Sequence, residues 1–425
     1  MGRFDEFEAF DDDPPEVDHD TVGLGALARP VRLPLIVAGI AALAGAIFAA
    51  TSTADFTAHL DRQVHAIHCS VMPGADAQMG ESGCRTVMLS PYSSWFRSSY
   101  WGGIPVAVFA LAVFAFLAYR AFHLAVKGQP RRSEVFFLLA GTGLPCLMSA
   151  LFGYLAATKV GATCTVCVGM YFASGFAFAG ALVAFLLTRK APTPDPRAVR
   201  GFALGFLEGC GFVAVVFLAY LAFMPEVKAE KGRGPAGCGT LVEAADPGGV
   251  FIDLAVRPGA TPSIELLDPL CPACRAFDGR LAASGLGDKL SQRAVLFPLD
   301  SSCNWMVKSS LHPGACAVTE AMLCAPAEGA KVLEWAFAHQ EDLTAMARAD
   351  EAALRKKIAQ EFPGVASCLG SPQVKNKIVQ SLRWAVANAL PVLTPQLFVN
   401  GKRMCDEDTD LGLEYTLARM LEARK

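Results

Sequence analysis

Long apolar runs alternate with short polar segments through the first half of the chain, and a mixed polar pattern follows. Five runs, roughly 33–52, 100–122, 134–157, 164–187 and 201–224, can each span a bilayer as a helix, which takes about 20 apolar residues. Only a short turn around Thr158–Thr163 joins the third to the fourth, so these two form an antiparallel pair. Residues 1–28, with Asp11, Asp12, Asp13, Asp18 and Asp20 beside Pro14 and Pro15, cannot bury a core and are expected to be a disordered tail. They also lack the basic start and cleavage site of a signal peptide, so the first run is expected to stay as an uncleaved anchor.

After the fifth run, residues 225–245 read as a linker from Pro225, Gly232, Gly234, Pro235 and Gly237. Phe251–Val256, Ser263–Leu267 and Arg293–Leu299 read as strands, and Arg275–Leu281 as a helix. Residues 304–387 have a largely helical pattern. Gln396–Asn400 gives a further strand, Asn400-Gly401 a hairpin turn, and Leu411–Leu421 a closing helix.

Composition agrees with a membrane protein, since hydrophobic residues make up 53% and charged residues only 18%. A net charge of −3 and the lack of a basic run away from the membrane flanks argue against a nucleic-acid partner. Basic residues orient the spans: Arg29 and Arg32, then Lys127, Arg131 and Arg132, then Arg189, Lys190, Arg197 and Arg200 all fall on one side. Basic loops favour the cytoplasm, so 53–99, the 158–163 turn and everything after about 225 face outward.

Fourteen cysteines are many for a reducing compartment. Three pairs carry the chemistry: Cys69 and Cys84 in the first outer loop, Cys164 and Cys167 (C-T-V-C) opening the fourth span, and Cys271 and Cys274 (C-P-A-C) after a strand. A C-x-x-C holds two sulfurs near enough to close or open a disulfide, and all three pairs lie on the outer face. Cys271 at a helix start gains thiolate stabilisation from backbone N–H groups and the helix dipole. Cys274, one turn further in, is placed to resolve a mixed disulfide. Half of a zinc site is the competing reading of C-P-A-C, but no second C-x-x-C or His pair stands at finger-like spacing and no metal is expected. Cys146 and Cys210, inside spans, read as small packing residues.

Strand, C-P-A-C at a helix start, a long helical insertion, a later proline and a hairpin follow the order of the thioredoxin superfamily. Over most of 245–425 the tail resembles its DsbA-like branch. That resemblance makes Pro395 the cis-proline facing the disulfide, with Thr394 offering backbone contacts to a bound thiol substrate. The membrane half, 33–190, resembles the vitamin K epoxide reductase family. The resemblance rests on C-T-V-C at the fourth span, the loop pair before the second, Cys84-Arg-Thr-Val-Met-Leu-Ser90, and Gly103-Ile104-Pro105. Bacterial members are fused through a fifth span to a thioredoxin-like domain.

The expected fold is therefore multi-domain: an all-α membrane four-helix bundle and a fifth transmembrane helix, then an α/β thioredoxin-like domain. The expected limits are 1–28 tail, 29–190 bundle, 191–224 fifth helix, 225–245 linker and 246–425 DsbA-like domain. By resemblance, Cys164 exchanges with Cys69 and Cys84, Cys167 reacts with a bound quinone (ubiquinone or menaquinone), and Ser90 binds or polarises a quinone carbonyl. Ser90 also reads as a helix cap or turn residue before Pro91. One departure stands out: fourteen residues separate Cys69 from Cys84, more than the family leads one to expect. A structural disulfide stays open there, and His65 and His68 either depress a thiol pKa, bind metal with Cys69, or lie on the loop surface.

Cys238, Cys303, Cys316, Cys324, Cys368 and Cys405 remain, all in the tail. Structural disulfides are the preferred reading, with Cys303–Cys316, Cys324–Cys368 and Cys238–Cys405 one pairing among many.

These features point to a quinone-dependent protein thiol oxidase of a bacterial inner membrane, its redox cysteines on the periplasmic side. Its partners would be unfolded exported proteins with free thiols, the lipid bilayer and the quinone pool. A quinol-driven disulfide reductase or isomerase reverses the flow, and C-P-x-C disfavours it. A non-catalytic receptor or metal carrier with structural cysteines is the remaining alternative.

Overall fold

A computed structural model of the chain describes residues 29–61, 65–70, 82–127, 130–188, 198–224 and 238–422. The expected tail, 1–28, and the linker as far as 237 lie outside the described residues. Among the described residues, five helices are long and apolar enough to cross a membrane: α1 (Arg29–Ala58), α3 (Val106–Lys127), α4 (Arg132–Leu155), α5 (Thr165–Leu187) and α6 (Ala198–Phe223). The short helix α2 (Gly83–Leu89) lies in the loop between the first and second spans.

Two boundaries differ from the sequence reading. The second span, expected from residue 100, begins as a helix only at Val106. Before it, β1 (Ser94–Trp95) and β2 (Ile104–Pro105) form an antiparallel hairpin, with Gly102 and Gly103 at φ 73° and 74° making the turn. The turn expected over 158–163 starts later, because a π turn (Ala156–Val160) extends α4 and stops at left-handed Gly161.

Contacts divide the chain into two compact units that cut across the helices. One holds residues 1–46, 112–150 and 170–214. Within it Gly180 of α5 meets the Pro34–Ala38 backbone of α1 so closely that a Cβ would clash, the small-residue contact on which membrane helices rely. Arg132 donates to the Phe185 and Thr188 carbonyls at 3.3 and 2.6 Å, satisfying the last acceptors of α5. Cys146 is a free thiol donating to the Ser174 carbonyl at 3.2 Å, and Cys210 is free and exposed on α6. Almost none of α6 is covered by protein although Phe206, Leu218 and Phe223 line it, which suits lipid as its surroundings.

The other unit holds 47–111, 151–169 and 215–425. Its sheet has the order β3-β5-β4-β6-β7, from β3 (Ile252–Ala255), β4 (Thr261–Leu267), β5 (Leu290–Leu296), β6 (Gln396–Val399) and β7 (Lys402–Arg403). Only β4 and β5 run parallel, so their connection must cross over, and α7 (Pro272–Ser284) makes that crossing. Phe277 and Leu281 of α7 share one apolar cluster with Leu417 and Met420 of α13 (Leu413–Glu422). Another cluster holds the helical insertion: α8 (Ala315–Cys324), α9 (Gly329–Ala338), α10 (Gln340–Ala349), α11 (Glu351–Glu361) and α12 (Pro372–Ala387). Sheet, crossing helix, insertion and closing helix make the tail thioredoxin-like.

Residues 304–314, expected to be helical, are not. Asp300 diverts them by accepting from the Ser302 and Gly314 N–H groups at 3.1 and 2.9 Å, and helix resumes at Ala315. Residues 238–245, expected as linker, are held in place: Cys238 and Leu241 donate to the Arg403 and Gly401 carbonyls, both at 2.8 Å. Disulfides join Cys238–Cys405, Cys303–Cys316 and Cys324–Cys368, the pairing named above as one of many.

Candidate redox sites

Strand β4 delivers the chain to C-P-A-C through a turn built on Asp268. This fully buried carboxylate accepts from the Leu270 and Leu299 N–H groups, each at 2.7 Å, and meets His312 Nδ1 at 2.8 Å. Cys271 is then the N-cap of α7, and Pro272 takes the first helical position, where its missing N–H costs nothing. The Thr394–Pro395 peptide is cis, and the Thr394 carbonyl oxygen lies 3.8 Å from Cys271 Sγ.

Both tail cysteines are free and buried, Cys274 completely. A hydrogen bond from Cys274 pulls the Cys271 thiol down to about 6, against the opposing effect of burial. Burial pushes Cys274 well up. Glu265, on β4, is also buried, and burial raises its carboxyl to about 8, with Asp278 and Cys271 adding to the shift. Burial depresses His312, but hydrogen bonding to Asp268 and that residue's charge win and leave it raised.

In the loop between the first and second spans, Ser82 caps α2 by accepting from the Arg85 N–H at 3.2 Å. Gly83 touches the Thr163 backbone, and a side chain there would collide with the Thr163 carbonyl. That approach brings Cys84 beside the start of α5. Cys84 is bonded to Cys69, while Cys164 and Cys167 are free, and the Cys167 N–H donates to Cys164 Sγ at 3.2 Å. Thr165 Oγ1 lies 3.4 Å from Cys69 Sγ and 3.7 Å from Cys84 Sγ.

The loop is tethered from its other side as well. Asp55, buried near the end of α1, accepts from the His68 N–H at 2.9 Å and holds His68 Nδ1 at 2.7 Å. His65 pairs with Asp61 at 2.8 Å. Both histidines are therefore engaged with carboxylates in or just beyond the last turn of α1. Ser90 ends α2, is buried, and donates its hydroxyl to the Val87 carbonyl at 2.7 Å. Phe56, Leu60, Ile67, Met88 and Val166 form an apolar cluster with Cys84 and Cys164, and Cys69 and Cys167 lie against it.

The tail reaches this loop through the segment before and into α13. Trp101 Nε1 donates to Asp408 at 2.8 Å, and Arg419 donates to the Ser98 carbonyl at 3.2 Å. Buried Arg97 stands 3.8 Å from Glu414. Leu411 joins the apolar cluster of Phe56, Leu60 and Trp101.

Of the residues singled out from sequence, Cys69, Cys84, Cys164 and Cys167 come together, as do Cys271 and Cys274, with the Thr394 carbonyl that precedes cis-Pro395 beside Cys271. The two groups sit in separate apolar clusters. Sequence reasoning missed Thr165, Asp55, Glu265, Asp268 and His312. Thr165 stood in plain view inside C-T-V-C, and Glu265 interrupts an otherwise apolar strand end; the Asp268–His312 contact left no local signal.

Residues 36–182 match the Vitamin K epoxide reductase family. Among solved structures, a thioredoxin-like oxidoreductase from Silicibacter pomeroyi DSS-3 is 19% identical, with a TM-score of 0.29 over 42% of this chain and 94% of its own. No curated protein sequence matches the chain significantly.

Proposed function

With a membrane half that belongs to the vitamin K epoxide reductase family and a thioredoxin-like tail, the chain is a membrane disulfide oxidoreductase, and we propose that it is an oxidase. In this reading electrons pass from thiols of exported proteins to Cys271–Cys274, then to Cys69–Cys84, then to Cys164–Cys167, with a quinone as final acceptor. The observation that carries it is the closed Cys69–Cys84 bond within reach of the residue between two free cysteines, Cys164 and Cys167.

Direction follows from Cys271. A thiolate stabilised in the reduced form makes the corresponding disulfide a stronger oxidant. Cys271, pulled down to about 6, is such a thiolate. A client thiolate attacks Cys271 Sγ, Cys274 leaves, and the second client thiol displaces Cys271. Glu265 on β4, whose charge adds to the rise at buried Cys274, would exchange a proton with that cysteine.

The apolar wall of Phe56, Met88 and Val166 beside Cys167 suits a flat ring, and the hydroxyls of Thr165 and Ser90 supply the few polar atoms. A quinone held there would supply a two-electron acceptor. Ser90 would have to turn its hydroxyl away from Val87 to donate a hydrogen bond. The reading divides the chain into bundle 29–190, fifth helix 191–224 and DsbA-like domain 246–425. It sets the cysteines outside a bacterial cytoplasmic membrane, since Lys127, Arg131, Arg132 and Arg200 fall in the alternate segments between spans, and basic segments favour the cytoplasm.

The test uses purified full-length protein, a reduced unfolded dithiol substrate and a soluble quinone analogue, with quinone absorbance and substrate thiols followed together. Cys164→Ala, Cys167→Ala and Cys271→Ala should each stop coupled turnover. Undiminished turnover in Cys167→Ala would sink the relay.

A further inference from the structure

Thr165 occupies an unusual position for a hydroxyl. It is the first residue of α5, it lies between the two cysteines of C-T-V-C, and its Oγ1 is within hydrogen-bonding range of both sulfurs of the neighbouring disulfide, at 3.4 and 3.7 Å. Cys69 and Cys84 are bonded to each other, so neither carries a hydrogen. The hydroxyl is therefore the donor in this contact. The backbone approach of Gly83 to Thr163 fixes Cys84 in this place from one side, and the Asp55–His68 contact fixes the residue before Cys69 from the other.

We propose that the Thr165 hydroxyl is a catalytic hydrogen-bond donor for exchange between the loop pair and the membrane pair, stabilising negative charge on the loop sulfurs. This rests on the relay reading above. The step is balanced within the chain. A loop thiolate attacks Cys164 Sγ of the Cys164–Cys167 disulfide, a bond forms between them, and Cys167 leaves as a thiolate. The second loop thiolate then attacks the first loop sulfur and expels Cys164. The loop pair loses two electrons, the membrane pair gains them, and two protons follow. At each stage a loop sulfur bears charge where Thr165 can reach it.

The size of the effect follows from thiol chemistry. A donor that favours the thiolate raises its fraction below the thiol pKa but lowers its intrinsic nucleophilicity, with a Brønsted slope of about 0.4–0.5. For a tenfold gain in thiolate fraction, the net gain in rate is roughly threefold at neutral pH. Above the thiol pKa, ordinarily about 8.5, the fraction no longer changes and the gain disappears or reverses. Thr165 is exposed at its helix start, so water competes for its hydroxyl and keeps the effect modest.

The experiment starts from fully reduced full-length protein, adds the quinone analogue, quenches in acid, and reads the return of the Cys69–Cys84 bond by peptide mass spectrometry. In parallel, pulse alkylation of the reduced protein across pH 6–10 gives the ionisation of Cys69 and Cys84. Thr165→Val should slow bond return about threefold at pH 7. It should also move loop alkylation to higher pH and match or exceed wild type near pH 10. Thr165→Ser should restore the wild-type profile. Equal profiles for wild type and Thr165→Val would overturn the proposal, as would a Thr165→Val defect of the same size at every pH. If Thr165→Val does not accumulate in membranes, Thr165→Ala against Thr165→Ser makes the same comparison. Failure of the wild type to re-form Cys69–Cys84 while its membrane pair is oxidised would overturn the relay, and the proposal with it.

Discussion

Cys271 caps α7 and Cys164 immediately precedes α5, so both dithiols straddle the first turn of a helix. Their surroundings differ in kind. Around Cys271–Cys274 stand ionisable groups: buried Glu265 on β4, buried Asp268 three residues earlier, and His312 paired with that aspartate. Around Cys164–Cys167 stand a hydroxyl, a disulfide and the side chains of Phe56, Met88 and Val166, and the nearby buried carboxylate, Asp55, is already held by His68. Charge is expensive at a membrane surface that excludes water, and less so in a soluble domain that can pair it. The tail pair is thus set by buried ionisable groups and proton exchange, while the membrane pair has a hydroxyl on the neighbouring sulfurs and a carboxylate, Asp55, whose charge is taken up by His68.

The sharpest way to break this contrast is Glu265→Gln. Burial raises the Glu265 carboxyl from 4.5 to about 8, so between these values the folded protein binds a proton that the unfolded chain does not. That contribution is complete below pH 4.5 and lost as pH rises through 8. Wild-type stability should fall relative to Glu265→Gln by on the order of 3 kcal/mol between pH 4.5 and pH 7. Hydrogen-exchange protection of β4 and α7 in the full-length protein reads the difference. Parallel pH profiles in the two proteins would mean that Glu265 is ionised in the fold, and the soluble pair would lose its proton partner.

A second test compares the dithiols directly. With Cys271 pulled down to about 6, most of it is thiolate at pH 7, whereas an ordinary thiol near 8.5 is a few per cent ionised. Iodoacetamide should therefore modify Cys271 with a midpoint near pH 6 and, at pH 7, only about twofold faster than an ordinary thiol of equal exposure, because roughly thirtyfold more thiolate is offset by its lower nucleophilicity. Cys274 should stay unmodified in native protein, since it is fully buried. A Cys271 midpoint above 8 would remove the argument for oxidation over reduction.

Much of this architecture was legible in sequence because it is written in local patterns. Apolar runs of bilayer length, period-two strands and C-x-x-C motifs each occupy one stretch of chain, and they located five spans, the sheet and three cysteine pairs. The hairpin before Val106 was hidden because Trp101, Ile104 and Val106 prolong the apolar run, and only Gly102 and Gly103 mark the break. The non-helical 304–314 was hidden because Asp300 turns it through hydrogen bonds to residues as far away as Gly314. His312 and Asp268, 44 residues apart, and Asp55 and His68, 13 apart, are contacts of the folded chain with no pattern of their own. Thr165 is different: it lay inside a recognised motif, but only the placement of Cys69 and Cys84 gives its hydroxyl a task.

The smallest expected effect bears on how the two dithiols communicate. Trp101 belongs to the loop between the first and second spans and Asp408 to the tail, 307 residues on, yet Nε1 donates to the carboxylate at 2.8 Å and both residues are buried. Leu411 and the close packing of Gly412 on the indole add apolar contact at the same place. Such an interface raises the effective concentration of one redox partner near the other beyond what a tether alone gives. Trp101→Phe keeps the ring and removes the donor, a loss of about 1 kcal/mol for one hydrogen bond. Transfer from Cys271–Cys274 to Cys69–Cys84 within the chain should slow about fivefold by that figure, while reduction of Cys69–Cys84 by added dithiothreitol should not change. Equal slowing of both reactions would mean that Trp101 shapes the loop itself; no slowing of either would mean that the tether suffices. In both cases the membrane pair would be independent of how the tail docks, and the division of labour between the two sites would rest on the sites alone.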